Sequence, residues 1–334
     1  MKLVINALIG KGFLTLDLLN ARITSFNYGT PDKHNKPCAL TAHAIRNPDG
    51  APGQNAGQMW CLMRHLPVML GDLIPEDDEH WDLLLALLDC MDLIFSPVVS
   101  SGDTKYLEQL IRDHHSLFLE LFAGRNLKPK HHFMTHYPSA IRLYGPLIHL
   151  WVMRFEAFHN FSRRLSHIVC NFQNIAKTLA YRNQMLLCYN IMCKSTYVER
   201  SVEIGSGESV ILASLTNSAE ISQHFEMALY DEVFIARWCK VYGIEYRKHL
   251  MVVVDKTAEG GPAFGKIRHI LVHGENISFL CELWHTFGFD KHMYQFMHFY
   301  FLFILFRLQR NMMETVLPLQ KMILQSLLMK FLKR

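Results

Sequence analysis

The stretch EHWDLLLALLDCMDLIF, residues 79–95, decides the fold class of this chain. Its large apolar residues recur at steps of three and four, which places them on one face of an α-helix. These residues are Trp81, Leu84, Leu85, Leu88, Met91 and Phe95. Acidic residues precede the pattern, and carboxylates interact favourably with the positive end of the helix dipole. We therefore predict a helix that begins near residue 79.

Similar helical patterns lie on both sides of this stretch. They predict further helices over residues 58–73, 103–122, 131–144, 147–168 and 171–192. Pro67 should bend the first of these, Asp103 should cap the second and Gly124 should end it. Residues 26–58 are rich in Pro, Gly, Asn and His without periodicity, which predicts an extended loop.

After residue 200 the pattern changes to short β-branched or aromatic runs separated by glycine-containing turns. The runs cover residues 202–215, 249–254, 264–272 and 277–283. This predicts a small antiparallel sheet or SH3-like barrel. The expected fold is a multi-helix, mainly α domain followed by a small antiparallel β module, α+β overall.

We divide the chain into an irregular N-terminal segment (1–57), an α-helical domain (58–198), a small β domain (199–292) and an apolar C-terminal tail (293–334). The tail contains FMHFYFLFILF, residues 296–306. Eleven residues rise only about 16 Å as a helix, about half the thickness of the hydrocarbon layer. We predict a buried helix or strand there and no membrane partner.

The charge distribution along the chain is uneven. The net charge of +4 over 334 residues is too small to indicate a nucleic-acid partner by itself. Residues 71–124, however, hold twelve acidic and two basic residues, whereas residues 125–200 hold eleven basic and two acidic ones. Either the basic segment faces a polyanion, or the two oppositely charged segments pack together.

The eight cysteines form no CxxC pair and no spacing typical of a disulfide framework. The first nineteen residues are interrupted by Gly10, Lys11, Gly12 and Asp17 and do not resemble a secretory signal. We therefore expect reduced thiols in an intracellular protein.

Residues 128–171, KPKHHFMTHYPSAIRLYGPLIHLWVMRFEAFHNFSRRLSHIVCN, concentrate the residues that could carry chemistry. His132 and His136 are four apart, so both rings lie on one helix face and could hold one metal ion. Two ligands do not complete a tetrahedral site, so interhelical hydrogen bonding is the alternative. His114 and His115 are expected to be solvated and without a role.

Glu156 is the only carboxylate in residues 121–198. It could pair with Arg154, Arg163 or Arg164. It could instead be a metal-binding carboxylate of a phosphoryl-transfer site, in which two divalent ions hold the attacking and leaving oxygens.

Basic and aromatic residues alternate in the two helices that follow. The basic residues are Arg154, Arg163, Arg164, Lys177 and Arg182, and the aromatic ones include Phe158, Phe161, Phe172 and Tyr181. This mixture predicts contact with a DNA phosphate backbone and limited base reading. In the alternative, the arginines form a solvated face and the aromatic residues lie in the core, which the spacing favours for Phe158, Phe161 and Phe172.

The block resembles the region that follows the catalytic aspartates in EnSpm/CACTA-type transposon proteins. The family pattern is a histidine pair, Gly-Pro, Trp and an aromatic-Glu pair, and it is matched by His132, His136, Gly145-Pro146, Trp151 and Phe155-Glu156. GQMWCLMRHLPVML and WDLLLALLDCMDLIF resemble the helices that precede this block, and WCKVYGIEY with FGKIRHILV resembles the β module that follows it. The similarity covers roughly residues 55–290.

This resemblance implies an RNase H-like transposase that uses three carboxylates and Mg²⁺ or Mn²⁺, with Glu156 as the third acid. His132 and His136 would match histidines that hold a structural zinc in related recombinases. Nuclear localisation, and partners such as DNA and other transposon or chromatin proteins, follow from the same resemblance.

Asp17 and Asp32 lie in segments without an alternating strand pattern, so the first two catalytic aspartates are not matched. We expect a transposon-derived fragment that is not an enzyme as it stands, with residual binding of DNA or of a partner. The alternatives are a domesticated protein–protein interaction module and a metal-dependent nuclease or transposase.

Overall fold

The structure is a computed structural model that describes residues 1–29, 32–47, 53–170, 172–193, 202–241, 244–256, 261–274 and 276–307. The side chains of residues 153–158, 285 and 298–307 also lie outside this description. The chain forms two compact units. The first comprises Met1–Ile148, Leu250–Ile267 and Cys281–Arg334, and the second comprises His149–His249 and Arg268–Leu280.

The described α-helices are α1 Lys2–Gly10, α2 Leu16–Ser25, α3 Ala42–Arg46, α4 Ala56–Leu70, α5 Glu79–Ile94, α6 Ser101–Leu121, α7 Pro129–Tyr144, α8 Met153–Val169, α9 Ile175–Met192 and α10 Ser218–Phe225. The strands are β1 Val202–Ile204, β2 Gly207–Ile211, β3 Glu232–Ala236, β4 Trp238–Val241, β5 Ile244–Arg247, β6 Met251–Lys256, β7 Pro262–His273, β8 Asn276–Asp290 and β9 Gln295–Arg307. The α+β fold class is therefore confirmed. The SH3-like barrel stays a prediction.

The helix starts are set by polar side chains that accept hydrogen bonds from free backbone N–H groups. Asp78 caps α5 by accepting from the N–H of Trp81 at 3.0 Å. The cap of α6 is Ser100, and Asp103 bonds back to the Ser100 N–H at 2.7 Å. Asp103, predicted to be the cap, is therefore the third residue of the helix and completes a capping box with Ser100.

The prediction that residues 1–57 are irregular is wrong, because they contain α1, α2 and α3. Val4, Ile5 and Leu8 lie on the buried face of α1. Thr15 caps α2 through its hydroxyl, and Thr41 caps α3 in the same way. Short helices of this kind are stabilised by packing rather than by their own sequence, and the Gly-, Pro- and His-rich composition of residues 26–58 conceals α3.

The core of the first unit surrounds α5. The Trp81 side chain is fully buried, at 0% exposure, and Leu84 and Leu88 beside it are 1% exposed. Leu62 and Leu66 of α4 belong to the same apolar cluster, as do the buried residues of α1 and α2. The patterned face of residues 79–94 therefore forms the centre of this unit, as its periodicity predicted.

The turn between β8 and β9 packs onto these helices. The indole Nε1–H of Trp81 donates to the backbone carbonyl oxygen of His292 at 3.1 Å. In return, Nε2 of His292 lies 2.9 Å and 3.0 Å from the carbonyl oxygens of Gly71 and Ile74, so it is the donor to them. A Cβ on Gly71 would lie 2.5 Å from the sulfur of Met293, so this flexible side chain packs directly against Gly71.

The strands pair in an antiparallel manner within each unit. In the first unit β6 pairs with β7, with Met251 opposite Lys266, and the next neighbours are β8 and β9. In the second unit β2 pairs with β3, β3 pairs with β7, and β1, β4 and β5 form a small sheet. Gly207 is needed because an added Cβ would lie 2.1 Å from the Ile235 carbonyl oxygen.

Two predicted domains differ from the structure. The β domain predicted over residues 199–292 is divided, because Leu250–Ile267 and residues 281–292 belong to the first unit. Helices α8 and α9, assigned by sequence to the α-helical domain 58–198, belong with the short strands in the second unit. In the tail 293–334, residues 295–307 form β9, which confirms a regular element there. Its burial stays a prediction, because the side chains of residues 298–307 and the whole of residues 308–334 lie outside the described residues. No helix among the described residues has the length and apolar character needed to cross a bilayer.

Two carboxylates of α5 share one hydroxyl from the β8–β9 turn. The Tyr294 hydroxyl lies 3.0 Å from Asp89 Oδ1 and 2.7 Å from Asp92 Oδ2. A phenol has a single proton to donate, so the arrangement favours a proton on one carboxyl group. Burial and, secondarily, the charge of Asp89 raise the pKa of Asp92 to about 6, although the Tyr294 hydrogen bond opposes the shift.

We expect Asp92→Asn to increase the free energy of unfolding at pH 7 by about 1–3 kcal/mol, because ionised Asp92 is less favourable in the folded state. A raised folded pKa means that the native state binds more protons between about pH 4 and pH 6, so wild-type stability falls as the pH rises through this window. Urea unfolding across pH 4–8 should show this fall and its loss in the variant.

The exposed Glu120 of α6 provides the control for this experiment. Glu120→Gln removes one negative charge from an exposed position of the same unit and should leave the pH profile unchanged. Equal profiles for wild type and Asp92→Asn would contradict the shared-proton arrangement.

Candidate nucleic-acid interface and candidate metal ligands

Four of the five residues predicted to contact DNA are exposed on α8 and α9. They are Arg163, Arg164, Lys177 and Arg182. Arg163 donates to the side-chain oxygen of Asn160 at 3.1 Å. Among the ion pairs that the structure describes, none involves these four side chains, so their charges are available to an external anion.

A surface groove of about 630 Å³ runs along α9. Lys177, Tyr181, Arg182 and Met185 line it together with Thr178. The helix beneath it begins at Asn174, whose side-chain oxygen accepts from the Lys177 N–H at 3.4 Å. The groove thus combines two cations with an aromatic ring and an apolar side chain on one rigid element.

The aromatic residues are more exposed than the spacing indicated. Phe172, predicted to lie in the core, is 68% exposed, and Tyr181 is 66% exposed. Phe161 is intermediate, and the side chain of Phe158 lies outside the described residues. The physical reason is that the second unit buries little of α9: Leu186, Tyr189, Ile191 and Met192 are exposed as well. Exposed rings beside cations can stack with bases.

Arg154 and Glu156 lie on the first turns of α8, but their side chains lie outside the described residues. The expected pairing of Glu156 with an arginine, and its alternative as a catalytic metal ligand, therefore stay predictions.

The histidine pair predicted on α7 is formed as the spacing indicated. Nε2 of His132 lies 3.1 Å from Nε2 of His136, and both residues are exposed. Two imidazole nitrogens on a tetrahedral Zn²⁺, each about 2.0–2.1 Å from the ion, are about 3.3 Å apart. The pair therefore matches two positions of a metal site, and a hydrogen bond between neutral rings fits the same distance.

His114 and His115 are not solvated, contrary to the expectation from sequence. They are 5% and 8% exposed and pack against His131 of α7, with ring-centre distances of 6.3 Å and 5.3 Å. Burial, together with the neighbouring His115 and His131, lowers the pKa of His114 to about 4. These histidines are therefore neutral at neutral pH and form part of the α6–α7 contact.

A second set of metal-ligand residue types was not predicted from sequence. Asp32, Cys61 and His65 are all buried, and their potential ligand atoms lie within 4.8 Å of one another. Cys61 and His65 are four apart on α4, whereas Asp32 lies in the loop before it. The i, i+4 spacing was visible in the sequence. The approach of Asp32 is a tertiary contact without a local signal.

Arg64 largely determines the chemistry of this cluster. Its guanidinium donates to Asp32 Oδ1 at 2.9 Å, and His65 Nε2 lies 3.2 Å from Asp32 Oδ2. Burial opposes ionisation of Asp32, but the His65 hydrogen bond and the Arg64 charge hold its pKa below the usual value. Burial raises the pKa of Cys61 to about 12.

These contacts give the cluster a structural character. A cation at Asp32 would compete with a guanidinium already in place, and Cys61 would have to lose a proton that its surroundings retain. A nucleophilic role for the Cys61 thiol is also disfavoured, because Cys61 is 0% exposed. Asp32, Arg64 and His65 hold the loop onto α4, and Arg64 also stacks 4.1 Å from the centre of the Trp60 ring.

Arg64→Met should lower the free energy of unfolding by about 3–5 kcal/mol, because it removes the guanidinium charge from the buried Asp32 carboxylate and leaves it only the His65 hydrogen bond. Arg22→Met is the matched control. It breaks the ion pair with Asp72, whose two side chains are 31% and 35% exposed, and should cost less than about 1 kcal/mol. Denaturant unfolding measures both values, and similar losses in the two variants would contradict a buried ion pair.

Comparison with protein-family models, with curated proteins and with solved structures gave no match for this chain.

Proposed function

We propose that this chain is the late part of a transposon-derived protein that binds the DNA phosphate backbone through α8 and α9. The observation that carries the proposal is the exposure of Arg163, Arg164, Lys177 and Arg182 in a stretch whose only carboxylate is Glu156. Phosphate contacts of this kind supply affinity that is largely independent of base sequence. The motif order around His132 and Glu156 supports the transposon origin.

The groove on α9 supports DNA over a purely apolar partner. Lys177, Tyr181 and Arg182 all line it. A cationic groove with an exposed aromatic ring suits a backbone with adjacent bases, since the cations contact phosphates and the ring stacks.

Among the described residues, neither of the two early aspartates contributes to a transposase active site. A two-metal site requires several convergent carboxylates. Asp17 lies in the first turn of helix α2, and Asp32 is bound to Arg64, so neither presents a free carboxylate on a strand. We therefore propose DNA binding without Mg²⁺-dependent or Mn²⁺-dependent strand cleavage.

A structural zinc belongs to the same proposal. His132 and His136 would supply two of its ligands, because their Nε2 atoms are 3.1 Å apart. When bound, the ion would fix the exposed face of α7 through coordination.

Duplex DNA should bind with a strong salt dependence. Four phosphate contacts give a slope of about −3.6 in a plot of log K against log salt, which corresponds to on the order of 100-fold weaker binding at 200 mM than at 50 mM salt. Lys177→Gln/Arg182→Gln should reduce the slope by about 1.8 units, because two contacts are lost. Fluorescence anisotropy with a labelled duplex measures both.

The control is Lys105→Gln/Arg112→Gln, which removes the same charge from exposed positions of α6. It should leave the slope unchanged. A salt-insensitive interaction, or equal effects of the two double variants, would contradict backbone binding by α9.

Zn²⁺ affinity, measured by calorimetry, should fall at least about tenfold in His136→Gln, because a single imidazole cannot chelate. His149→Gln, which changes an exposed histidine outside the pair, should retain it. Identical affinities in the two variants would exclude the pair as the site.

A further inference from the structure

A second cavity lies in the first unit, between α6 and the beginning of α7. Its volume is about 430 Å³, within the range of about 300–1,000 Å³ typical of small-ligand sites. Its polar lining consists of His115 from α6 and Lys128, His131, His132 and Thr135 around the start of α7. Leu127 and Pro129 complete the wall.

The electrostatics of this cavity favour an anion. One lysine and three imidazoles line it, and its described lining residues include no carboxylate. The cavity also lies at the N-terminal end of a sixteen-residue helix, where the helix dipole is positive.

His131 is restricted to donating into the cavity. Its Nδ1 accepts a hydrogen bond from the backbone N–H of Lys128 at 3.0 Å. Because that lone pair is engaged, the ring proton of neutral His131 must lie on Nε2. A ring nitrogen that carries a proton donates to an acceptor such as an oxyanion and does not ligate a metal.

His115 provides an independent indication of a ligand. Its side chain is largely buried, at 8% residue exposure, and it forms part of the cavity wall. Its Nε2 is buried, and no described residue lies within hydrogen-bonding distance of it. Buried polar nitrogens of folded proteins are nearly always paired, so an acceptor in the cavity would complete the bonding of His115.

The positions of the donor atoms favour an oxyanion over a metal ion. Among the described residues, three potential metal-ligand atoms lie within 4.8 Å of one another only in Asp32, Cys61 and His65. The histidines that line the cavity form no such group. Nitrogen ligands of one zinc must approach to about 3.3 Å, whereas donors to different oxygens of one phosphate group can be further apart.

We propose that this cavity binds a phosphate group, either free or as a phosphate ester, with Lys128 supplying charge and His115 and His131 donating hydrogen bonds. None of these residues belongs to α8 or α9. Failure of the phosphate site would therefore leave the proposed DNA contact untouched, and failure of the DNA contact would leave the phosphate site.

The test is calorimetric titration of the full chain with inorganic phosphate at pH 7 and constant ionic strength. Saturable binding is expected, and Lys128→Gln should weaken it about tenfold, which is the loss typical of one charge-assisted contact. His115→Phe keeps a ring that cannot donate and should weaken it similarly. Lys130→Gln, at an exposed neighbour that does not line the cavity, should bind like wild type.

Thermal unfolding checks that each variant is folded. If the buried His115→Phe variant does not fold, the Lys128→Gln variant still decides the test, because Lys128 is exposed.

Two oligonucleotides of one sequence then identify the source of the phosphate. Tighter binding of the 5′-phosphorylated strand, in wild type and not in Lys128→Gln, indicates a terminal phosphate. Equal binding of both strands, with each displaced by inorganic phosphate, indicates a backbone phosphodiester. The absence of saturable phosphate binding, or equal weakening by Lys128→Gln and Lys130→Gln, would overturn the proposal.

Discussion

The first unit depends on the hydrogen-bonding requirement of one buried indole. Trp81 lies fully inside the helical core, where an unpaired N–H would be costly, and its described acceptor is a backbone carbonyl 211 residues later in the chain. That requirement joins the helices to the β8–β9 turn. The same turn is held further because His292 donates to the carbonyl oxygens of Gly71 and Ile74, which follow α4. Helix α5, which the local sequence pattern predicts, therefore takes the acceptor for its buried indole from the β8–β9 turn.

Much of the fold could be predicted where a pattern repeats over many residues. The predicted start of α5 at Glu79 is confirmed, and the runs after residue 200 form strands close to their predicted positions. Short elements were missed, because α1 and α3 are stabilised by contacts that periodicity does not reveal. The grouping of α8 and α9 with the small strands was also beyond prediction, since it depends on tertiary packing.

The site residues were likewise predicted where local spacing determines the geometry and missed where tertiary contacts do. The i, i+4 spacing of His132 and His136 fixes their distance on one helix, so sequence was sufficient. Phe172 was assigned to the core because spacing gives the relative direction of side chains and not what covers them. His114 and His115 become buried only when α7 packs beside α6. The Asp32 cluster, similarly, exists because a loop returns to α4, and no spacing rule links residues 32 and 64.

The first unit is built from separate stretches of sequence, so the ribosome synthesises its parts at different times. The first unit opens at Met1, is interrupted by the second unit and resumes only at Leu250 and Cys281. A ribosome that adds about 5–20 residues per second needs on the order of 10 s to pass from residue 148 to residue 292. During that interval the indole of Trp81 lacks its acceptor, and the helices that surround it await the strands that complete their packing. The apolar faces of these helices therefore stay incompletely covered until the β8–β9 turn has been synthesised.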